Sequence, residues 1–388
     1  MLPNPPSPPA IFGMTLAEYA ASRGTHAQSL REEYLRCLRY GAGLTLPPIT
    51  RHDEQDGVSK FCLAVGGDDG KVLETESVII PMRSYRCTDW HTLCLSSQVG
   101  CRMACTFCET ARMGWLRNLS AAEIVAQRLV AREVMQARTN LPLAPSLVRR
   151  GKTGGAPLLT KEGPGEVALA LAHHRPYRYF GDGIQNIVFM GMGEPLANYE
   201  NLLKALKILN APWGGGIGAR KITLSTVGLV PQIKKLADEP MQLRLAVSLH
   251  GATDDVREKI MPVNKKYPLK ELLDACDYYV NTKKRMMTFE YILIEGVNDS
   301  LEQAHKLGAA ARRLRAKVNL IPCNPVDGLL WKRPDRDRCK MFQHTLQTHG
   351  ITSTLRLEKG TDINAACGQL RLQHETGAKA APKDEHHG

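Results

Sequence analysis

From residue 92 to residue 349 the apolar positions alternate between two spacings. Short runs that read as buried strands fall at 93–99, 186–190, 221–225, 243–249, 287–294 and 318–322. Each precedes a stretch with helical spacing: 121–136, 201–209, 230–237, 269–280, 300–315 and 336–349. Near-continuous apolar strands bounded by turn residues, each followed by an amphipathic helix, predict βα units on a parallel sheet. Six such units predict an α/β partial (β/α)6 barrel, with chemistry on the loops after the C-terminal strand ends.

The rest of the chain reads differently. Residues 1–13 are proline-rich and predict disorder. Over 14–45, Leu16, Tyr19, Leu30, Tyr34, Leu35 and Leu38 recur near helical spacing. Two strand patterns follow at 59–65 and 71–81, joined by a Gly/Asp-rich turn, so 14–91 reads as a small N-terminal helical and β accessory region. Within the barrel region 92–372, residues 138–182 are rich in Pro, Gly and charge without a clear period, which predicts an exposed insertion. The polar tail 373–388 is expected to be disordered.

Candidate chemistry concentrates after the first barrel strand. Cys101, Cys105 and Cys108 lie in VGCRMACTFCETARMG, a C-x3-C-x2-C spacing with Phe107 before the last cysteine. Three thiolates on one loop can hold three irons of a 4Fe–4S cluster and leave the fourth open, as a catalytic centre requires. A zinc site completed by Cys94 or Cys87 is the alternative, although this spacing is unusual for zinc. After the second strand comes FMGMGEP, where Gly191 and Gly193 permit close backbone approach and Glu194 can accept from an ammonium. LST at 224–226, SLH at 248–250 and Asn324 also sit at strand ends, where hydroxyl, imidazole and amide groups can bind a ribose or carboxylate.

Composition narrows the setting. Lysine and arginine exceed aspartate and glutamate by 51 to 39, a formal charge of +12, which favours phosphate-rich partners. No apolar run is long enough to span a membrane, and the N-terminus lacks the basic and apolar regions of a secretion signal. Eleven cysteines, an odd number in a long chain, fit a reducing cytoplasm with metal or redox chemistry better than a disulfide framework.

Together these strings resemble the RlmN/Cfr family of radical S-adenosylmethionine (SAM) RNA methyltransferases. The resemblance covers about residues 57–372 outside the insertion, and its phrases include CLSSQVGCRMACTFC, GMGEPLANYENL, ITLSTVGLVP, SLHGATDDVREKIMPVNKKYPL, VNLIPCNP and DINAACGQL. It implies one 4Fe–4S cluster on Cys101, Cys105 and Cys108, and SAM contacts at Gly193, Glu194, Ser225, Ser248, Leu249, His250 and Asn324. It implies further that Cys367 takes a methyl from one SAM and that a second SAM is cleaved to a radical that abstracts hydrogen from that methyl. The methylene radical then adds to the base, Glu76 removes the ring proton, and Cys94 resolves the protein–RNA adduct by forming a disulfide with Cys367.

The substrate so implied is an adenosine of 23S rRNA, in some members also of tRNA. An electron donor such as flavodoxin or ferredoxin, a cytoplasmic monomer and no membrane partner go with it. GMGEP leans toward methylation of carbon 2, whereas STVG and GVNDSLEQA lean toward the carbon 8 branch; carbon 2 is the preferred expectation. A radical SAM enzyme with a non-RNA substrate and a non-catalytic zinc protein that binds RNA are the competing readings. If phosphate contacts lead the interface, affinity for structured RNA is expected to fall with rising salt as counterions are released, checked by titrations at several ionic strengths.

Overall fold

A computed structural model describes residues 9–41, 44–67, 70–83, 89–139, 183–324 and 330–356. Its main sheet has ten strands. They are β1 (Ile49–Gln55), β2 (Val58–Gly66), β3 (Val72–Arg83), β4 (Asp89–Cys94), β7 (Ile184–Phe189), β8 (Ile222–Thr226), β9 (Arg244–Ser248), β10 (Thr288–Leu293), β11 (Lys317–Pro322) and β12 (Ser353–Leu355), in that spatial order. Pairing is antiparallel from β1 to β4 and parallel from β4 to β12. The remaining two strands, β5 (Gln98–Gly100) and β6 (Trp115–Asn118), form a separate antiparallel ribbon.

All six expected βα units are present, and the short β12 adds a further parallel pairing. Crossover helices are α4 (Ala121–Thr139), α5 (Tyr199–Asn210), α6 (Val230–Asp238), α8 (Leu269–Lys283), α9 (Leu301–Arg313) and α10 (Arg336–Thr348), with α3 (Glu109–Arg112) and α7 (Asp254–Ile260) as short additions. Local chemistry sets their starts. Ser120 and Glu123 exchange hydrogen bonds in a capping box before α4, while Ser300 and Asp335 accept from the first-turn amides of α9 and α10.

Three differences from the sequence reading matter. First, the N-terminal β segment is continuous with the barrel sheet, because β3 pairs with β4 from Val78↔Cys94 to Arg83↔Asp89. Its outer strand β1, ITRHDEQ, carries no apolar alternation because it is a largely wet edge, so its composition hid it. Second, residues 9–13 are ordered, correcting the expected disorder there: Ala10–Gly13 forms a 3-10 turn whose Ile11 and Phe12 are buried in the main core. An aromatic anchor offsets the prolines' entropic bias. The expected helical stretch behind it is α1 (Leu16–Ser22) and α2 (Arg31–Tyr40). Third, the first barrel strand stops at Cys94 rather than at residue 99, and the chain leaves the sheet before β5. The expected insertion lies outside the described residues from 140 onward, as do the tail and Cys367.

The exit from β4 is held by one side chain. Gln127 of α4 accepts from the Ser77 hydroxyl at 2.8 Å and the Ser96 amide at 2.9 Å, and donates to the Ser96 carbonyl at 3.1 Å. All three residues are buried. Gln127→Leu leaves the peptide groups of Ser96 without these partners, and is expected to lower stability by about 1–3 kcal/mol, read from urea denaturation.

Candidate active site

The ribbon β5–β6 closes the cysteine loop. Gly100 has φ +73°, and a Cβ there would sit 1.9 Å from the Gly114 carbonyl, so only glycine fits. Beside it the Cys101 amide donates to Gly114 at 2.8 Å. Thr106 then ties the loop to the barrel: its amide donates to Ile260 at 3.0 Å, and its carbonyl accepts from the Trp331 indole at 3.0 Å. Cys101 and Cys105 are buried and Cys108 is half-buried.

All three cysteines line one pocket with Phe107, Gly193, Glu194, Ser225, Ser248 and His250. Burial pushes the Cys101 thiol up to about 12 and raises Cys105 and Cys108 as well. Ligation requires thiolates, so a cationic metal centre would supply the charge that this wall lacks. Among the described residues, no three His, Cys, Asp or Glu side chains converge on a point sized for a single ion. A cubane cluster spreads its ligand sulfurs over different irons, so three thiols along one wall fit that donor set.

The GMGEP loop forms the adjoining wall. Gly191 packs against Leu95, whose carbonyl would lie 2.7 Å from an added Cβ. Gly193 has φ +91° and abuts Gln98, whose amide oxygen accepts from the Glu194 N–H at 2.8 Å. The buried Glu194 carboxylate accepts from the amides of Leu196 at 3.0 Å and Val227 at 2.9 Å. Burial raises its pKa to about 7, and the Val227 amide and Thr226 hydroxyl oppose that rise. Three donors on four lone-pair sites leave one site for a ligand cation.

His250 adopts φ +57° at the end of β9, and its Nδ1 accepts from the Ile292 amide at 3.0 Å. That bond leaves the neutral ring's proton on Nε2. Burial and the nearby Arg257 cation lower its pKa to about 3, so the ring stays uncharged. Phe107 meets it edge-on at 4.9 Å. Leu249 and Asn324 are not among the residues that line this pocket. Leu249 is in the core with its amide donating to Glu290 at 3.0 Å, and Asn324 accepts from Arg333 at 2.7 Å.

Strand register relates Glu76 and Cys94 to the pocket. Residues directly opposite on paired strands share a face, as do residues two apart along one strand. From Cys94 one face runs through Val188, Thr223, Ser225, Ala246, Ser248 and Glu290. In the other direction Cys94 opposes Val78, which opposes Lys60; Glu76 lies two residues from Val78 and opposes Cys62. Glu76 and Cys94 therefore occupy the same sheet face as Ser225 and Ser248. Ser96 joins these parts directly, its hydroxyl donating to the Glu76 carbonyl at 2.6 Å and accepting from the Met192 amide at 2.8 Å. Glu76 is buried, not a solvated strand residue, and burial raises its pKa to about 7, against the lowering effect of Lys60.

Three further residues have no counterpart in the sequence reading. Glu290 lines the pocket, with one carboxylate oxygen accepting from Asn319 at 3.0 Å and the other without a hydrogen-bond partner among the described residues. Arg257, fully buried, donates to the carbonyl of Leu249 at 3.1 Å, the Asn264 side chain at 2.9 Å and the Val227 carbonyl at 2.5 Å. Lys60 is buried beside Glu76. A lone charge inside an apolar strand, as in TFEYIL or SKFCLAV, is the signal that marks two of them.

Residues 95–308 match the Radical SAM superfamily. The chain is 48% identical over 311 residues to the "Probable dual-specificity RNA methyltransferase RlmN 3" of Opitutus terrae, covering 79% of this chain and 73% of that protein. It is 44% identical over 327 residues to a protein of Akkermansia muciniphila named RlmN in the same way, covering 84% of this chain and 77% of its relative. Among solved structures, a radical SAM methyltransferase from Sphaerobacter thermophilus superposes with a TM-score of 0.74 at 35% identity, covering 93% of this chain and 98% of that one. Cys101→Ala, Cys105→Ala and Cys108→Ala are each expected to abolish SAM cleavage. Analysis of reconstituted protein is expected to find iron and sulfide in about equal amounts in the parent and neither in the triple variant.

Proposed function

The chain belongs to the RlmN family of radical SAM RNA methyltransferases, and we propose that it methylates carbon 2 of an adenosine in 23S rRNA, with tRNA as a second substrate. The relatives' dual-specificity names support two RNA classes. The observation that carries the chemistry is the register that puts Glu76 and Cys94 on the pocket's own sheet face.

Cys101, Cys105 and Cys108 hold the cluster, while Gly193, Glu194, Ser225, Ser248, His250, Leu249 and Asn324 bind SAM. Glu194 takes the amino group, and the neutral His250 adds no positive charge beside the sulfonium. Together the bound cluster and SAM supply hydrogen-atom abstraction, driven by electrons from a flavodoxin or ferredoxin. Two SAM molecules would serve each turnover, since Cys367 would take its methyl from one and lose a hydrogen atom from that methyl by means of the other.

Carbon 2 of adenine is electron-poor, so it resists an electrophilic methyl but accepts a carbon radical. The methylene carbon on Cys367 forms the new bond to the ring. The adduct would become a closed-shell thioether once one electron had passed to the oxidised cluster and the ring proton to Glu76. Cys94 then attacks the Cys367 sulfur as a thiolate. The S–S bond forms, the C–S bond breaks, and its electron pair goes to the methylene carbon, which picks up a proton to become methyl. A reductant restores the two thiols. The enzyme works as a cytoplasmic monomer, and no helix among the described residues is long and apolar enough to cross a membrane.

Nucleoside mass spectrometry of rRNA and tRNA, from cells with and without the gene, tests the product. Loss of 2-methyladenosine is expected, and loss of 8-methyladenosine instead would assign carbon 8. In vitro, Cys94→Ala is expected to stall as a protein–RNA cross-link on a denaturing gel. Cys367→Ala and the double variant are expected to give neither cross-link nor product, because adduct formation precedes resolution.

A further inference from the structure

Lys60 and Glu76 form an ion pair at 3.8 Å between side chains that are each 2% exposed. Lysine is almost never buried without a partner, since desolvating the ammonium costs more than a loose surface contact returns. Cross-strand pairing fixes the layout: Lys60 opposes Val78, Val78 opposes Cys94, and Glu76 lies one row along on the same face. The Glu76 oxygen nearest Lys60, Oε2, has no hydrogen-bond partner among the described residues. Its charge is balanced chiefly by the ammonium, with a smaller contribution from Arg51, and not by a fixed donor.

The other charged and titratable groups facing Glu76 leave Lys60 as its principal cation. On β1, Arg51 opposes Cys62 and Asp53 opposes Lys60, and these two pair with each other at 2.8 Å. Cys62 of β2 opposes Glu76 directly, Cys94 of β4 lies in the Val78 row, and Glu74 sits two residues along β3. Burial pushes the Cys62 thiol up to about 12, so it adds no charge at neutral pH.

We propose that Lys60 is a positioning residue for the methyl transfer, holding Glu76 in its ionised form beside Cys94 so that the carboxylate can take the ring proton. The assignment rests on reading Glu76 as the base. An ammonium at this distance favours carboxylate over acid, whereas burial favours the acid. Without Lys60 only the smaller effect of Arg51 opposes burial, Glu76 stays protonated at neutral pH, and the RNA adduct cannot lose its ring proton. Losing the cation therefore traps the same cross-link as losing the base, but only below the raised pKa.

The test reads Glu76 directly in the full-length apoprotein, by infrared titration of the carboxylic acid band with 13C-labelled glutamate, using Glu76→Gln to assign it. In Lys60→Met the midpoint is expected to rise by about 1–3 pH units, and in Lys60→Arg to stay near that of the parent. An unchanged midpoint in Lys60→Met overturns the proposal.

If Lys60→Met unfolds too easily for infrared work, its Tm against pH carries the same test. A carboxyl whose folded pKa is raised binds more protons folded than unfolded, so stability falls as pH rises from the unfolded value toward the folded one. Lys60→Met should therefore lose Tm between about pH 5 and about pH 8 more steeply than the parent, and Lys60→Met/Glu76→Gln should lose that excess. An equal slope in the double variant overturns the proposal. With RNA present, adduct resolution in Lys60→Met should shift to higher pH. Should Glu76→Gln resolve the adduct normally while the Glu76 midpoint still follows Lys60, the base reading falls and the Lys60–Glu76 coupling stands.

Discussion

The structure depends on how the chain leaves the sheet after Cys94. A strand that stops in the middle of a sheet strands its peptide groups in the core, where each unmet donor or acceptor costs stability. Here Gln127 supplies the missing partners from the helix behind, and the Ser96 hydroxyl bridges forward from β3 to the GMGEP loop. One turn of three residues thus frees the backbone to build the cysteine loop while fixing it against the strand that carries Glu76. The reacting groups come from segments far apart in sequence, and this turn sets their relative height.

The concave face is electrically unusual. Burial raises the pKa of Glu76, Glu194 and Glu290, and it raises the thiols of the cysteine loop as well. A lining of under-solvated acids and thiols is costly by itself and is relieved by cations. The ligands of a radical SAM enzyme are of that kind, a cationic iron–sulfur core and the ammonium and sulfonium of SAM. His250, kept neutral by the same burial, can donate a hydrogen bond without adding positive charge to the pocket.

Much of the architecture was legible because it follows from periodicity. Five of the six barrel strands and all six following helices lie where apolar spacing put them; the first strand is displaced, ending at Cys94. The cysteine triplet and GMGEP were legible as local strings, and they do share a pocket. What escaped was non-local. That β3 pairs with β4 cannot be read from either strand alone, since the two are separated by turn residues and either could have ended a separate domain. Arg257 carries no local signal at all: in DDVREKI it looks like a solvated helix charge, and only the fold shows the carbonyls it caps.

Continuity of the sheet gives the N-terminal strands a catalytic meaning. Had β1–β3 formed an independent module, Glu76 and Cys94 would meet only through docking, with the looseness of an interdomain contact. As neighbouring strands they are locked by backbone hydrogen bonds, so Glu76 and Cys94, the proposed base and resolving thiol, keep one spacing and one face. The same lock brings Lys60 in from the far side of β3, where it can act on Glu76 without occupying room needed by the base. A two-step resolution, proton first and sulfur second, suits such a layout, because the carboxylate and the thiol are diagonal neighbours on adjacent strands and not one behind the other. The edge strand β1 then has its own part: its Arg51, paired with Asp53, adds a second and weaker cationic pull on Glu76 behind that of Lys60.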